Sequence, residues 1–434
     1  MKYANLYWQS TDLGNGGYRA VNIGDNLQFM VMDYLFQTYL PSEKPVKLQV
    51  SELKMYTGEP LRLPLNWSLF DINYMDGDKI AISQDIIPVF LAMTIESGTF
   101  QPRYLNEYNF SYLRKYEPIG CRDEYTMKTL EHYGVKAYLN GCLTSVLPKL
   151  EMKGERKKVF LVDVPIEAEK FIPKDIREHS EIMTQQYYFS ADMSIDKILD
   201  TIKSQYCKYA REAKLVVTSR LHVASPCMAM GIPVVFTKNQ IDARFGWIDN
   251  YIPLYDLKSY EKINWEQGPV EYEEDKKRII KNFVQRLTGI PDLHLETDLI
   301  SDIFKSREGR QYINFRDTVY DKFEKAKEFL RANYKREDEF LYSIWGYTDS
   351  AESFYNYMCI HYPKAHIKDV IDTYKNEEFH GIKTKRPEMF ILEKSEIVFV
   401  LPVKASNVAK EFFTDRGVSD RQYVCCGQQF ITIK

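Results

Sequence analysis

At 434 residues, with 44% hydrophobic and 14% aromatic residues, the chain can hold two or three domains with sizeable cores. A net charge of -3 excludes a general nucleic-acid binder, which needs a basic surface. No run approaches the ~20 apolar residues of a membrane span. The seven cysteines lack paired spacing, so no disulfide framework is expected and the setting reads as reducing and cytoplasmic.

The first residues, Met1 to Gln9, show no apolar run followed by a small-residue cleavage site. Gly14, Gly16 and Gly17 precede Asn22-Ile-Gly-Asp-Asn. Apolar residues at Leu27, Met30, Val31, Tyr34, Leu35 and Tyr39 predict a helix from about Leu27 to Leu40, ended by Pro41. Asp25 or Asn26 then sits at its N-terminus, as a cap or a ligand contact. Lys79-Ile-Ala-Ile-Ser is expected as a strand, and Pro118-Ile-Gly-Cys as a short one delivering Arg122 and Asp123. Asp123 is placed to cap a helix through Met127 and Leu130 that stops at Gly134, with Val135 to Leu139 the next strand. A first domain closes near residue 150.

A second domain opens at the strand Lys157-Lys-Val-Phe-Leu-Val-Asp-Val, with Glu181 to Tyr188 as a second strand. A helix from about Ser194 to Ala213 puts Ile195, Ile198, Leu199, Ile202, Tyr206 and Tyr209 on one face. It feeds into residues 214–238, which read as strand, turn, helix, turn, strand. Leu215 to Val217 is the first strand, Thr218 and Ser219 are placed to cap the helix, Gly231 stops it, and Val234 to Phe236 is the second strand. Short connections of this kind indicate right-handed crossovers in a mainly parallel sheet. Ligands bind outside the carboxyl ends of such strands. Ser219, Arg220 and His222 lie at one end and Lys238 at the next, so three cationic or ionisable side chains converge where an anion would bind. Asp242, Arg244 and Trp247 follow on a loop that could line the same place; packing is the better reading for Trp247.

Residues 272–335 are helix-forming and charged on both signs, as packed surface helices are. From 336 the chain reads as a small α/β module: strands at Phe340 to Trp345, Ile367 to Ile371 and Ile397 to Leu401, and a helix through Phe354 and Met358. Its glycine fingerprint for a dinucleotide is damaged, because Thr348 and Ala351 stand where the second and third glycines belong. No histidine shows metal-ligand spacing.

The segment Ser219-Arg-Leu-His222 with Met230-Gly-Ile-Pro-Val-Val235, together with Asn22-Ile-Gly-Asp-Asn-Leu-Gln28 and Gly120-Cys-Arg-Asp-Glu-Tyr125, resembles the polysaccharide pyruvyl transferase family, in the expected order. The resemblance covers roughly residues 1–300. It implies two Rossmann-like domains, 1–150 and 151–335, facing across a cleft in a GT-B-like way, with 336–434 as an appendage. One departure is that the glycine-rich turn usual after the Lys79 segment is replaced by Ser83-Gln-Asp-Ile-Ile-Pro88.

By this resemblance the donor is phosphoenolpyruvate, with no separate cofactor and no metal. Arg122, Arg220, Lys238 and Ser219 are its expected ligands, because a guanidinium fork engages phosphate or carboxylate bidentately. His222 and Arg220 are the expected catalytic pair, since a group titrating near neutrality suits proton transfer to an enol ether. Asp25 and Asn26 are expected on the side of the acceptor, a sugar hydroxyl pair in a lipid-linked or nucleotide-linked polysaccharide precursor. That acceptor would bring a cytoplasmic protein to the inner membrane face, and the C-terminal module is a candidate site for other pathway enzymes. Two other readings are a glycosyltransferase using a nucleotide sugar and a non-catalytic assembly component.

Overall fold

In a computed structural model of the chain, the described residues are 2–8, 18–71, 73–95, 104–149, 155–190, 192–289, 300–305, 318–320, 323–402, 405–426 and 430–432. Gly14, Gly16 and Gly17 lie outside them. The chain divides into two compact units. The first comprises Met1–Asp76, Ala81–Gly98 and Tyr116–Arg316, and the second Gly77–Ile80, Thr99–Lys115 and Asp317–Lys434.

The first unit is parallel-stranded α/β. Strands β1 (Lys2–Tyr7), β2 (Tyr18–Asn22), β3 (Val46–Gln49), β4 (Leu61–Leu65) and β5 (Ile86–Phe90) open it, with helix α1 (Ile23–Tyr39) between β2 and β3. Four of these strands form a parallel sheet in the order β3-β1-β4-β5. The expected strand at Lys79 is only two residues, Lys79–Ile80. The sheet strand is instead Ile86–Phe90, which overlaps the stretch standing in place of the expected glycine-rich turn. Pro88 is tolerated because β5 is the edge of its sheet, where a missing N–H removes no ladder bond. Residues 96–103 lie outside those described.

Helix α1 starts four residues earlier than its apolar period suggests. Asn22, rather than Asp25 or Asn26, caps it: its side-chain oxygen accepts the Gly24 N–H at 3.2 Å. A short parallel pair follows, β6 (Ile119–Cys121) and β7 (Ala137–Leu139), around α2 (Glu124–His132). Asp123 caps α2 as expected, accepting the Thr126 N–H at 2.8 Å.

The second sheet is built from β8 (Lys158–Val162), β9 (Ser180–Met183), β11 (Ala213–Thr218), β12 (Val234–Thr237) and β13 (Leu254–Tyr255), all parallel in the order β9-β8-β11-β12-β13. The expected single strand over 181–188 is two strands in different sheets. It breaks at Thr184 and Gln185, and β10 (Gln186–Ser190) pairs antiparallel with β2. Helices α3 (Ile195–Glu212), α4 (Leu221–Ala229) and α5 (Glu273–Thr288) complete the unit.

The unbroken apolar runs of β8 and β11 have a simple cause, since both faces of each are covered. Phe160, Val162 and Val216 point into one core with Ile198, Ile202 and Tyr209 of α3. Val159, Leu161, Leu215 and Val217 point into another with Ala168, Ile172 and Tyr260. Trp247 is 1% exposed and packs edge-on to Phe304, so it is a core residue.

The second unit contains a parallel sheet of β14 (Phe340–Trp345), β15 (Ala365–Ile371), β16 (Glu396–Val400) and β17 (Tyr423–Cys425), ordered β15-β14-β16-β17. Three strands match expectation and β17 is an addition. In such a sheet a nucleotide would enter where the strand order reverses, between β14 and β16. Gly346 has φ +107° there, and Pro402 lies so close that a Cβ on Gly346 would sit 2.3 Å from its ring carbons. Asp372, at the end of β15, accepts backbone N–H groups of Tyr347, Tyr374 and Lys375. Pro402 thus packs directly against Gly346, and the Asp372 carboxylate is engaged by its own loop.

Gly120 gives a direct test of the first unit's packing. A Cβ there would lie 2.2 Å from the Leu91 carbonyl oxygen, a backbone atom that cannot swing away. Gly120→Ala should lower stability by about 3 kcal/mol or more. Gly268→Ala, which meets nothing within 4 Å, should be close to neutral; thermal melts of the two variants decide.

Candidate active site

The carboxyl ends of β8, β11 and β12 point the same way, and the turns after them meet the start of α1 and the residue after β6. Between them lies a cavity of about 140 Å³. Asn22 and Asp25 line it from α1, Arg122 from the turn after β6, and Ser219, Arg220 and His222 from the turn after β11. Lys238 and Arg244 close it from the segment after β12, and Gln185 from the break between β9 and β10. The cavity thus collects Arg122, Ser219, Arg220, His222, Lys238 and Asp25 of the residues expected from sequence. Asn26 does not line it. It is 1% exposed and its side-chain oxygen accepts the Trp8 N–H at 3.3 Å, because its place on α1 turns it towards the end of β1.

Each side chain has a local reason for its position. Thr218 and Ser219 do not cap α4. The Thr218 hydroxyl accepts the Arg220 N–H at 3.0 Å, and the Ser219 hydroxyl donates to the Asp163 carbonyl at 2.6 Å. Both hydroxyls brace the turn, and Arg220 is the capping-position residue with no side-chain cap bond. The N-terminal end of α4 therefore presents its positive dipole end beside the cavity. The Arg220 Nε–H donates to the Asp163 carboxylate at 2.8 Å, which orients the guanidinium. Arg122 is 4% exposed and is held by Gln28 Oε1 at 2.5 Å and the Asn66 carbonyl at 2.9 Å, while its Nε is buried with no partner. Arg244 makes a bidentate pair with Asp242, both bonds 3.1 Å.

Four cations line one small cavity, and their mutual field shows in the titrating groups. Burial lowers the pKa of Lys238, with Arg244 and Arg220 adding to it and Asp242 opposing. His222 is pushed well below the ordinary histidine value by burial first, then by Arg122 and Arg244. Its imidazole is therefore neutral at rest, rather than poised near neutrality. Its Nδ1 lies 3.9 Å from Asp25 Oδ1, and its Nε2 is buried without a partner. The Tyr206 hydroxyl donates to the His222 carbonyl and fixes the backbone beneath it. Gly24 is what lets α1 approach: a Cβ there would lie 2.8 Å from His222 Cβ and 3.1 Å from its Nδ1.

Sequence reasoning missed Asp163, Gln185 and Asn22 as parts of the site. Asp163 carried a readable signal, since it directly follows a buried strand as Ser219 does. Gln185 carried none, because nothing marked the break between β9 and β10. Among the described residues, no group of three or more histidine, cysteine or acidic side chains could hold a metal, and no helix is long and apolar enough to cross a membrane.

Residues 61–240 match the family model of polysaccharide pyruvyl transferases. The matched segment carries Arg122, Ser219, Arg220, His222 and Lys238. Asp25 and Arg244 lie outside it. No curated protein matches the chain. Among solved structures, a functionally uncharacterized protein from Klebsiella pneumoniae is similar at 15% identity and a TM-score of 0.33, over 54% of this chain and 84% of that one. A similarity of that size carries no argument about function.

The depressed His222 pKa fixes the sign of a pH effect. The unfolded chain binds the proton more readily, so the contribution of neutral His222 is present above about pH 6.5 and is lost as pH falls below it. Melts of wild type and His222→Gln from pH 8 to 5 should show the wild type losing ground to the variant below about pH 6.5. A constant gap would contradict a buried neutral imidazole.

Proposed function

We propose that the protein transfers pyruvate from phosphoenolpyruvate onto two hydroxyls of a sugar, forming a cyclic ketal, in the synthesis of a bacterial surface polysaccharide. The observation that carries the proposal is the cavity itself, part of whose lining belongs to the segment that matches the family. It gathers Arg122, Arg220, Lys238 and Arg244 around an unpartnered imidazole nitrogen. A donor with a phosphate and a carboxylate on three carbons suits four cations in about 140 Å³. Pockets for drug-sized ligands are roughly 300–1,000 Å³, which favours this donor over a nucleotide sugar. In this reading the two parallel sheets of the first unit act as Rossmann-like domains in a GT-B-like arrangement, with the cavity in their cleft. The acceptor belongs to a lipid-linked or nucleotide-linked precursor, met at the inner membrane face.

His222 then works as a proton shuttle. A bound dianion offsets the field of Arg122 and Arg244, so the imidazole takes up a proton on loading. It gives that proton to the methylene carbon of the donor, leaving an oxocarbenium-like centre. The first hydroxyl attacks that centre and returns its proton to His222. The second hydroxyl closes the ring as phosphate departs with the remaining proton, so two hydroxyl protons become one C–H and one phosphate O–H. Arg220, Arg122, Lys238 and Ser219 hold the anionic groups while charge shifts onto phosphate. Asp25, facing Nδ1, favours the tautomer that leaves Nε2 towards the donor.

Two measurements test this. Arg220→Ala and His222→Ala should each reduce phosphate release from phosphoenolpyruvate by about 10²–10³-fold, and full activity in either would sink the proposal. Calorimetric titration of phosphoenolpyruvate in buffers of different ionisation enthalpy should show net proton uptake near pH 7 in the wild type and none in His222→Gln. Stabilisation by a nucleoside diphosphate and not by phosphoenolpyruvate would move the chain to the glycosyltransferase reading.

A further inference from the structure

We infer that Asp163 is the positioning residue that sets the anion-binding geometry of Arg220, an inference that rests on the cavity being the donor site proposed above. Asp163 follows β8 immediately, and two other segments are tied to it. One carboxylate oxygen, Oδ2, accepts the Arg220 Nε–H at 2.8 Å and the Gln185 backbone N–H at 3.0 Å. Its carbonyl accepts the Ser219 hydroxyl at 2.6 Å, and its own N–H donates to the Met183 carbonyl at 3.2 Å. The ends of β8 and β11 and the break after β9 are thus joined at one residue.

The backbone of Asp163 shows that its place is held by its surroundings. Its φ is +49°, in the left-handed region that only glycine, asparagine and aspartate enter readily. That conformation turns its carboxylate back over the β11 turn. Arg220 carries its charge on a side chain 38% exposed, against 17% for the Asp163 partner. A long, half-exposed arginine would otherwise sample many rotamers, and ordering it on binding would cost affinity. The bond to Asp163 runs through Nε, so the terminal nitrogens of the fork keep N–H groups for phosphate or carboxylate.

The chain of contacts continues past Arg220. The Gln185 carbonyl accepts the Ile23 N–H at 2.9 Å, at the first turn of α1, where Asn22 and Asp25 face the cavity. The Tyr206 hydroxyl, which donates to the His222 carbonyl, lies 3.1 Å from the Gln185 side-chain amide. Asp163 touches neither of the reacting partners in this arrangement. It acts through Arg220, and through Gln185 on the segment that bears the acceptor-side residues.

The test is a double-mutant cycle read by ligand binding and by kinetics. Asp163→Asn is the main variant, because asparagine tolerates the left-handed backbone and can still accept the Gln185 N–H. Asp163→Gly is the second, since it keeps the backbone free of strain and removes the carboxylate. Phosphoenolpyruvate and inorganic phosphate are titrated in parallel into wild type, both variants, Arg220→Ala and the Asp163→Asn/Arg220→Ala double variant. Asp163→Asn should weaken both ligands by roughly ten- to a hundredfold, the loss expected when one charge-assisted contact is disordered. It should do so with a raised KM for the donor and a smaller change in kcat. In the Arg220→Ala background the same substitution should change binding by less than about twofold, because the residue it acts through is gone. Equal losses in the two backgrounds, or unchanged affinity in Asp163→Asn, would overturn the inference. If the wild type binds inorganic phosphate but not phosphoenolpyruvate, the donor is wrong and the phosphate arm still decides the role of Asp163. If the wild type binds neither, both readings fall.

Discussion

Confining like charges in a small space is expensive, and most of the first unit's detail answers that cost. Two unit charges 4 Å apart repel by about 4 kcal/mol at the effective dielectric of a protein surface. The cavity places four cations around about 140 Å³. Asp163 offsets Arg220 and Asp242 offsets Arg244, each by a direct ion pair. Arg122 is stabilised differently, by neutral oxygens of Gln28 and two backbone carbonyls, which hold its charge without cancelling it. Burial first, and the neighbouring cations after it, lower the pKa values of Lys238 and His222. In the proposed reading an anionic donor binds into the field of these cations and offsets part of it.

The same economy explains the backbone around the site. The start of α1 and the start of α4 approach so closely that Gly24 sits against His222. The hydroxyls of Thr218 and Ser219, which could have capped α4, brace the turn instead. Free hydroxyl caps would have neutralised part of the positive helix end that faces the cavity. In the second unit the corresponding place, after the first strand of its sheet, has Pro402 packed against Gly346.

Much of this was legible in the sequence because buried parallel strands and the turns after them leave strong signals. The run at 214–238 predicted β11, α4 and β12 closely, and placed Arg220, His222 and Lys238 together from the rule that ligands sit at strand ends. Arg122 and its capping neighbour Asp123 were likewise read from a short strand and a helix start. What failed were features set by tertiary contact. Nothing local showed that Asn22 rather than Asp25 caps α1, because the deciding partner of that turn, the Gln185 carbonyl, is more than 160 residues away in sequence. The strand at Ile86 was hidden by Pro88, whose tolerance depends on lying at a sheet edge. Asn26 shares a motif with Asp25 but not a face, and one residue along a helix turns a side chain by about 100°.

The most direct measurement is a crystal structure of the protein with phosphoenolpyruvate bound. The charge arrangement predicts one molecule between Arg122, Arg220, Lys238 and His222, with its methylene carbon towards His222 Nε2. A ligand bound elsewhere, or in this cavity with the methylene turned away from His222, would contradict the assignment of the site and its chemistry.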